Sequence, residues 1–185
     1  MRRLLWLSVL LVALPLTAWA DSTIDISNKG GALSVGTSGV SLTNSTLISV
    51  GSIVGSNLGT LSLTTGALSG GSIMSGGTFA GGTITITGNG SMGVPSGVIF
   101  SGSFTGPVTW TKSGGGYTLS GAITGTWWNG TTVNGATSQL IFKGSTFQAM
   151  SGDTFVAVPE PGTLGLLGTG LVGIAGLIRR KLSAT

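Results

Sequence analysis

Thr83-Ile84-Thr85-Ile86-Thr87 alternates hydroxyl and apolar side chains without a break, and Thr60-Leu61-Ser62-Leu63-Thr64 repeats the pattern. A period of two is the signature of a strand with one face buried and one wet. The same period extends outward from these two runs. Val98, Phe100 and Phe104 fall on one face, Val108 and Trp110 on another, and Leu119, Ile123 and Trp127 on a third. Thr, Val, Ile, Phe and Trp are the side chains that suit a pleated, half-buried surface.

Turn chemistry separates the runs: Gly70-Gly71, Gly76-Gly77, Gly81-Gly82, Gly88-Asn89-Gly90, Gly106-Pro107, Gly114-Gly115-Gly116 and Asn129-Gly130. Asn-Gly supplies the positive φ of a tight hairpin, so Trp127 to Val133 is the best hairpin candidate. Strand-like runs recur every 8–14 residues, and no 10-residue helical pattern interrupts Asp21 to Ala157. The expectation is an all-β body, an antiparallel sandwich or barrel with Gly-rich turns. A parallel β-helix would show a fixed repeat, and the intervals between turns are irregular. Asp21 to Gly59 alternates least cleanly and is expected to hold edge strands.

Composition removes several chemistries. The 185 residues include 35 Gly and 5 Pro but no Cys and no His. Disulfides, Cys/His zinc sites and Cys-His or Ser-His-Asp catalysis are therefore excluded. The formal charge of +4 belongs to the chain ends. Between them, Asp21, Asp25 and Asp153 balance Lys29, Lys112 and Lys143, so no basic patch points to nucleic acid. Asp25 and Asp153 would meet if the first and last strands paired, but no acidic loop resembles a calcium site. We expect no catalytic residues, no cofactor and no metal, and not an enzyme. A neutral body containing uncharged runs such as Thr83 to Thr87 is also expected to associate with itself through strand edges.

The two ends read as targeting segments. Residues 1–20 form a signal peptide: Arg2 and Arg3, an apolar stretch from Leu4 to Thr17, then Ala18-Trp19-Ala20, with Ala18 and Ala20 at the −3 and −1 positions of a cleavage site. Residues 158–185 begin with Val158-Pro159-Glu160-Pro161 and continue through 17 uncharged residues, Gly162 to Ile178. Arg179-Arg180-Lys181 closes the segment. The uncharged stretch is at the lower limit for a single transmembrane helix, with the basic end staying cytoplasmic. The body is thus residues 21–157.

This C-terminal arrangement resembles the PEP-CTERM sorting signal of Gram-negative bacteria, through Pro159, Glu160 and Pro161, the span, and Arg179, Arg180 and Lys181. The resemblance implies processing by a membrane exosortase after signal peptidase has acted. It also implies transient inner-membrane anchoring, then release or re-attachment at the cell surface or outside the cell. That family is linked to exopolysaccharide-producing, biofilm-forming bacteria. The expected function is accordingly a non-enzymatic surface or extracellular-matrix protein, with exopolysaccharide as a candidate partner. The alternative is a carbohydrate-binding module. Trp127 and Trp128 are adjacent, so in a strand they face opposite sides, one toward the core and one toward solvent. An exposed Trp beside Trp110 or Tyr117 would stack on a sugar ring.

Overall fold

Inward-facing Ile84 and Ile86 are fully buried while Thr83, Thr85 and Thr87 face out, and Leu61 and Leu63 are likewise buried between Thr60, Ser62 and Thr64. The computed structural model describes residues 21–159 together with Gly170, Val172 and Gly173. Thr23–Val158 forms one compact unit. Its strands are β1 (Asp21–Lys29), β2 (Ala32–Gly36), β3 (Gly39–Val50), β4 (Ile53–Val54), β5 (Gly59–Thr64), β6 (Leu68–Ser72) and β7 (Gly76–Phe79). They continue with β8 (Thr83–Asn89), β9 (Ser96–Phe104), β10 (Val108–Ser113), β11 (Gly116–Trp127), β12 (Thr132–Lys143) and β13 (Phe147–Pro159).

Eight of these strands close into an antiparallel barrel in the order β12-β13-β1-β3-β5-β8-β9-β11, with β11 returning to β12. Of the two architectures the pattern allowed, the barrel is the one formed. Closure leaves none of these eight staves with an open edge. The remaining strands attach to two long staves. One edge of β3 is shared by β1 (at Thr46 to Val50) and β2 (at Gly39 to Thr43), and β4 pairs with its last two residues. One edge of β11 is likewise divided, with β10 along Gly116 to Ser120 and β9 along Ile123 to Trp127. From β10 the sheet runs on to β7 and β6.

The segment expected to supply edge strands therefore does two jobs. β1 and β3 are staves, and only β2 and β4 are edges. Its alternation is unclear for a physical reason. The β1–β3 register slips between Ser27 and Asn28, and the β3–β5 register slips between Leu42 and Ser45, where Asn44 adopts φ 53°. Bulges of this kind bend a stave enough to close a small barrel. A third slip corrects one face assignment. Val98 and Phe100 pair with consecutive residues of β8, so Ile99 is the extra residue and is buried. Val98 consequently turns outward instead of joining Phe100 and Phe104.

The barrel interior is mainly aliphatic and aromatic, and each fully buried Ile, Leu or Phe contributes roughly 1.5–3 kcal/mol. Rings settle where glycine leaves room. Gly102 and Gly125 face each other across β9 and β11, and a Cβ on either would strike the tip of the Phe100 ring.

Candidate functional site

The barrel has two unlike ends. One holds the start of β1, the finish of β13, the 51–58 connection around β4, the 90–95 loop and the 128–131 turn. We call this the terminal end. The other is overlaid by β2, β6, β7 and β10.

The overlaid end contains an aromatic cluster. Trp110 and Tyr117 stack with ring centroids 4.7 Å apart and an interplanar angle of 11°. Phe79 meets Trp110 edge-on, and Phe147 meets both stacked rings edge-on. The β6–β7 turn folds back over the pair. Trp110 Nε1 donates to the Ile73 carbonyl at 2.8 Å, and the Tyr117 hydroxyl donates to the Met74 carbonyl at 3.0 Å. Both polar tips are thus satisfied inside protein, as buried Trp and Tyr require. Lys143 Nζ sits 5.3 Å from the Phe147 ring centre.

Trp127, the last residue of β11, and Trp128, the first of the turn, divide between core and solvent. Trp127 is buried and tilted against Phe100, with centroids 6.5 Å apart. Trp128 is 59% exposed at the terminal end. Its amide donates to the Ile99 carbonyl, while Gly130 at φ 83° and the Asn129 side chain hold the turn. The four aromatics considered for sugar stacking therefore do not form a platform. Trp110, Tyr117 and Trp127 spend their faces on the core, and Trp128 stands apart from Trp110 and Tyr117 at the opposite end.

Asp25 and Asp153 lie on neighbouring strands, since β1 and β13 pair. Asp25 is exposed on β1, and Asp153 Oδ1 accepts a 2.8 Å hydrogen bond from Ser27 Oγ across the β13–β1 closure. Among the described residues no group of three His, Cys, Asp or Glu side chains gathers to hold a metal.

Two features were not legible beforehand. The first is a buried polar network between β1, β3, β12 and β13. Asn28 Nδ2 donates to Ser45 Oγ and to Gln139 Oε1, each at 2.8 Å. Gln139 Nε2 donates to Asn28 Oδ1 at 3.3 Å and to Thr137 Oγ1 at 3.0 Å, and Thr137 and Thr154 share a hydroxyl bond of 2.9 Å. No buried side-chain N or O among the described residues lacks a partner. The signal was present in the spacing: Asn28 follows Ile24 and Ile26, and Gln139 precedes Ile141, all at inward positions. The second is the set of outward apolar side chains at the terminal end. Val54 is 70% exposed, Met92 67% and Val98 54%.

Beyond the barrel lies the C-terminal segment. Residues 157–181 match the PEP-CTERM protein-sorting motif. The chain carries a PEP-CTERM sorting signal. The motif marks an exported, membrane-transiting protein handled by exosortase. It overlaps the last stave, since β13 extends to Pro159 and Ala157 still pairs with Asn134 of β12. Glu160, Pro161, Arg179, Arg180 and Lys181 of the PEP-CTERM segment lie outside the described residues, as do Ala18, Ala20 and the whole 1–20 signal segment. So does the helix expected over 162–178, apart from Gly170, Val172 and Gly173, which are helical. Neither the curated proteins nor the solved structures returned a match.

Proposed function

We propose that the chain is a non-enzymatic structural protein of the cell surface or extracellular matrix, delivered by exosortase processing of its PEP-CTERM signal. The observation that carries this reading is the junction between motif and barrel. Ala157 of β13 is still paired with Asn134 of β12, and the Pro159-Glu160-Pro161 triplet begins two residues later, at the end of β13. Cleavage near the triplet would free a barrel that keeps the paired part of every stave, β13 included as far as Ala157. The nature of the body supports the same reading. Its buried polar atoms are spent on one another, and its outer face carries neutral hydroxyls such as the Thr64–Thr83 pair, 3.0 Å apart.

Fractionation of producing cells tests this proposal. The body should be found at the surface or in the matrix, and loss of exosortase should hold it in the inner membrane. A body that stays periplasmic in both strains would overturn the reading.

A second reading, a carbohydrate-binding module, is favoured by one observation, the exposure of Trp128. A glycan array probed with the processed protein should then show binding that Trp128→Ala abolishes, while the structural reading expects none.

A further inference from the structure

Ten large apolar side chains are prominently exposed among the described residues, and the four most exposed are Val54, Met92, Trp128 and Val98. All four lie at the terminal end: Val54 just after the 51–52 turn, Met92 in the 90–95 loop, Val98 early in β9 and Trp128 directly after β11. The Met92 side chain reaches back to the 53–55 segment. A Cβ placed on Gly55, the residue after Val54, would lie 3.2 Å from Met92 Sδ. Trp128 is tied through its amide to Ile99, the residue after Val98. Met92 is also held outward at a conformational cost. It is one of two non-glycine residues with positive φ among the described residues, at 54°, a region costly for a side chain of its size. The loop that holds it is well tied, with Asn89 Nδ2 donating to the Asn57 carbonyl and the Val94 amide to the Ser91 carbonyl.

The same end is where β13 leaves for the PEP-CTERM segment. From Val158 to Gly162 is four residue steps, which reach at most about 14 Å when fully extended. We infer that the terminal end is a membrane-facing surface, whose Trp128, Val98, Met92 and Val54 enter the interfacial layer of a lipid bilayer while the chain is still joined to its sorting segment. This rests on the proposed reading of 162–178 as membrane-embedded before processing. Trp favours the bilayer interface, where its ring is apolar on one side and its N–H reaches water, and aliphatic neighbours extend the contact. Charge does not bring this end to the lipid. Asp25 lies toward the terminal end, and Lys112 and Lys143 lie at the other. The contact is therefore apolar, and neither anionic lipid nor low salt should strengthen it.

The absence of cysteine from the chain permits a direct test. The protein from Asp21 to Thr185 is reconstituted into phosphatidylcholine vesicles carrying brominated acyl chains. A single Met92→Cys variant is labelled with an environment-sensitive dye. Met74→Cys, at the exposed tip of the β6–β7 turn, is the control. The dye at 92 should shift to the blue and be quenched by brominated lipid, and the dye at 74 should do neither. In the unlabelled protein, bromolipid quenching of Trp fluorescence should disappear in Trp128→Ser. A chain that floats with the vesicles but responds equally at 92 and 74 overturns the inference and leaves the anchor reading standing. A blue shift at 92 without bromolipid quenching would also overturn it, pointing to a second copy of the chain instead of lipid. A chain that does not float overturns the anchor and this inference together.

Discussion

Asn28 and Gln139, 111 residues apart, face each other inside the barrel and exchange amide hydrogen bonds, 2.8 Å in one direction and 3.3 Å in the other. β13 lies between their strands in the stave order, together with the β13–β1 closure. The pair therefore ties β1 to β12 over β13, across the place where the first and last staves meet. A buried amide finds no water there if its partner is removed, which makes the pair sensitive to register.

Gln139→Leu should destabilise the protein by about 1–3 kcal/mol, the cost of leaving a buried amide partly unpaired. The double variant with Asn28→Leu should recover part of that loss, because no orphaned amide then remains between the two strands. Urea denaturation of the four proteins gives the coupling energy. Strict additivity of the two single losses would show that the amides do not act as a pair.

Gly152→Ala should disturb the same network from the other side. A Cβ at this position would occupy the space of the Gln139 side-chain amide. The expected cost is again about 1–3 kcal/mol, because Gln139 must give up hydrogen bonds to move aside. Gly144, which has open space around its added Cβ, is the control. Equal stability of the two alanine variants would contradict the packing described for Gln139.

The tryptophans should separate by role. Trp110→Ala removes a stacked, hydrogen-bonded ring from a closed cluster and should cost about 3–5 kcal/mol. Trp128→Ala should change stability by less than about 0.5 kcal/mol, since its side chain is mostly in solvent. Thermal unfolding followed by circular dichroism compares the two. A large loss at Trp128 would place that ring in the fold instead of at a surface.

The strand edges expected to drive self-association are not those of the Thr83 to Thr87 run. The run Thr83 to Thr87 is part of β8, which is paired on both sides by β5 and β9 and offers no edge. The free edges belong to the appended strands, such as β6, which pairs with β7. Charge remains balanced over the body, so association should still occur near neutral pH and respond little to salt. A Ser69→Lys change on β6 should reduce it and the same change at Thr85 should reduce it less, as read by analytical ultracentrifugation.

Much of the body was legible because its short strands alternate strictly. Ile84, Ile86, Leu61 and Leu63 point inward as their spacing requires, and the Asn129-Gly130 turn joins β11 to β12. Barrel closure was not legible, because the strands that close it carry bulges and polar residues at inward positions. Asn28, Ser45, Thr137, Gln139 and Thr154 interrupt the apolar period that marks a buried face. Ile99 does the opposite, adding an apolar residue that pushes Val98 outward. The fate of the aromatics depended on contacts remote in sequence. Trp110 and Tyr117 are covered by carbonyls of Ile73 and Met74, 37 and 43 residues away, and no local pattern announces such a lid.

Processing at both ends is the claim on which the rest depends, and intact-mass analysis of the natural protein tests it most directly. The expected species begins at Asp21 and ends near Pro159-Glu160-Pro161, with a Glu160→Ala variant accumulating in uncut form. A mature protein that retains Gly162 to Ile178, or a Glu160→Ala variant processed like the wild type, would contradict it.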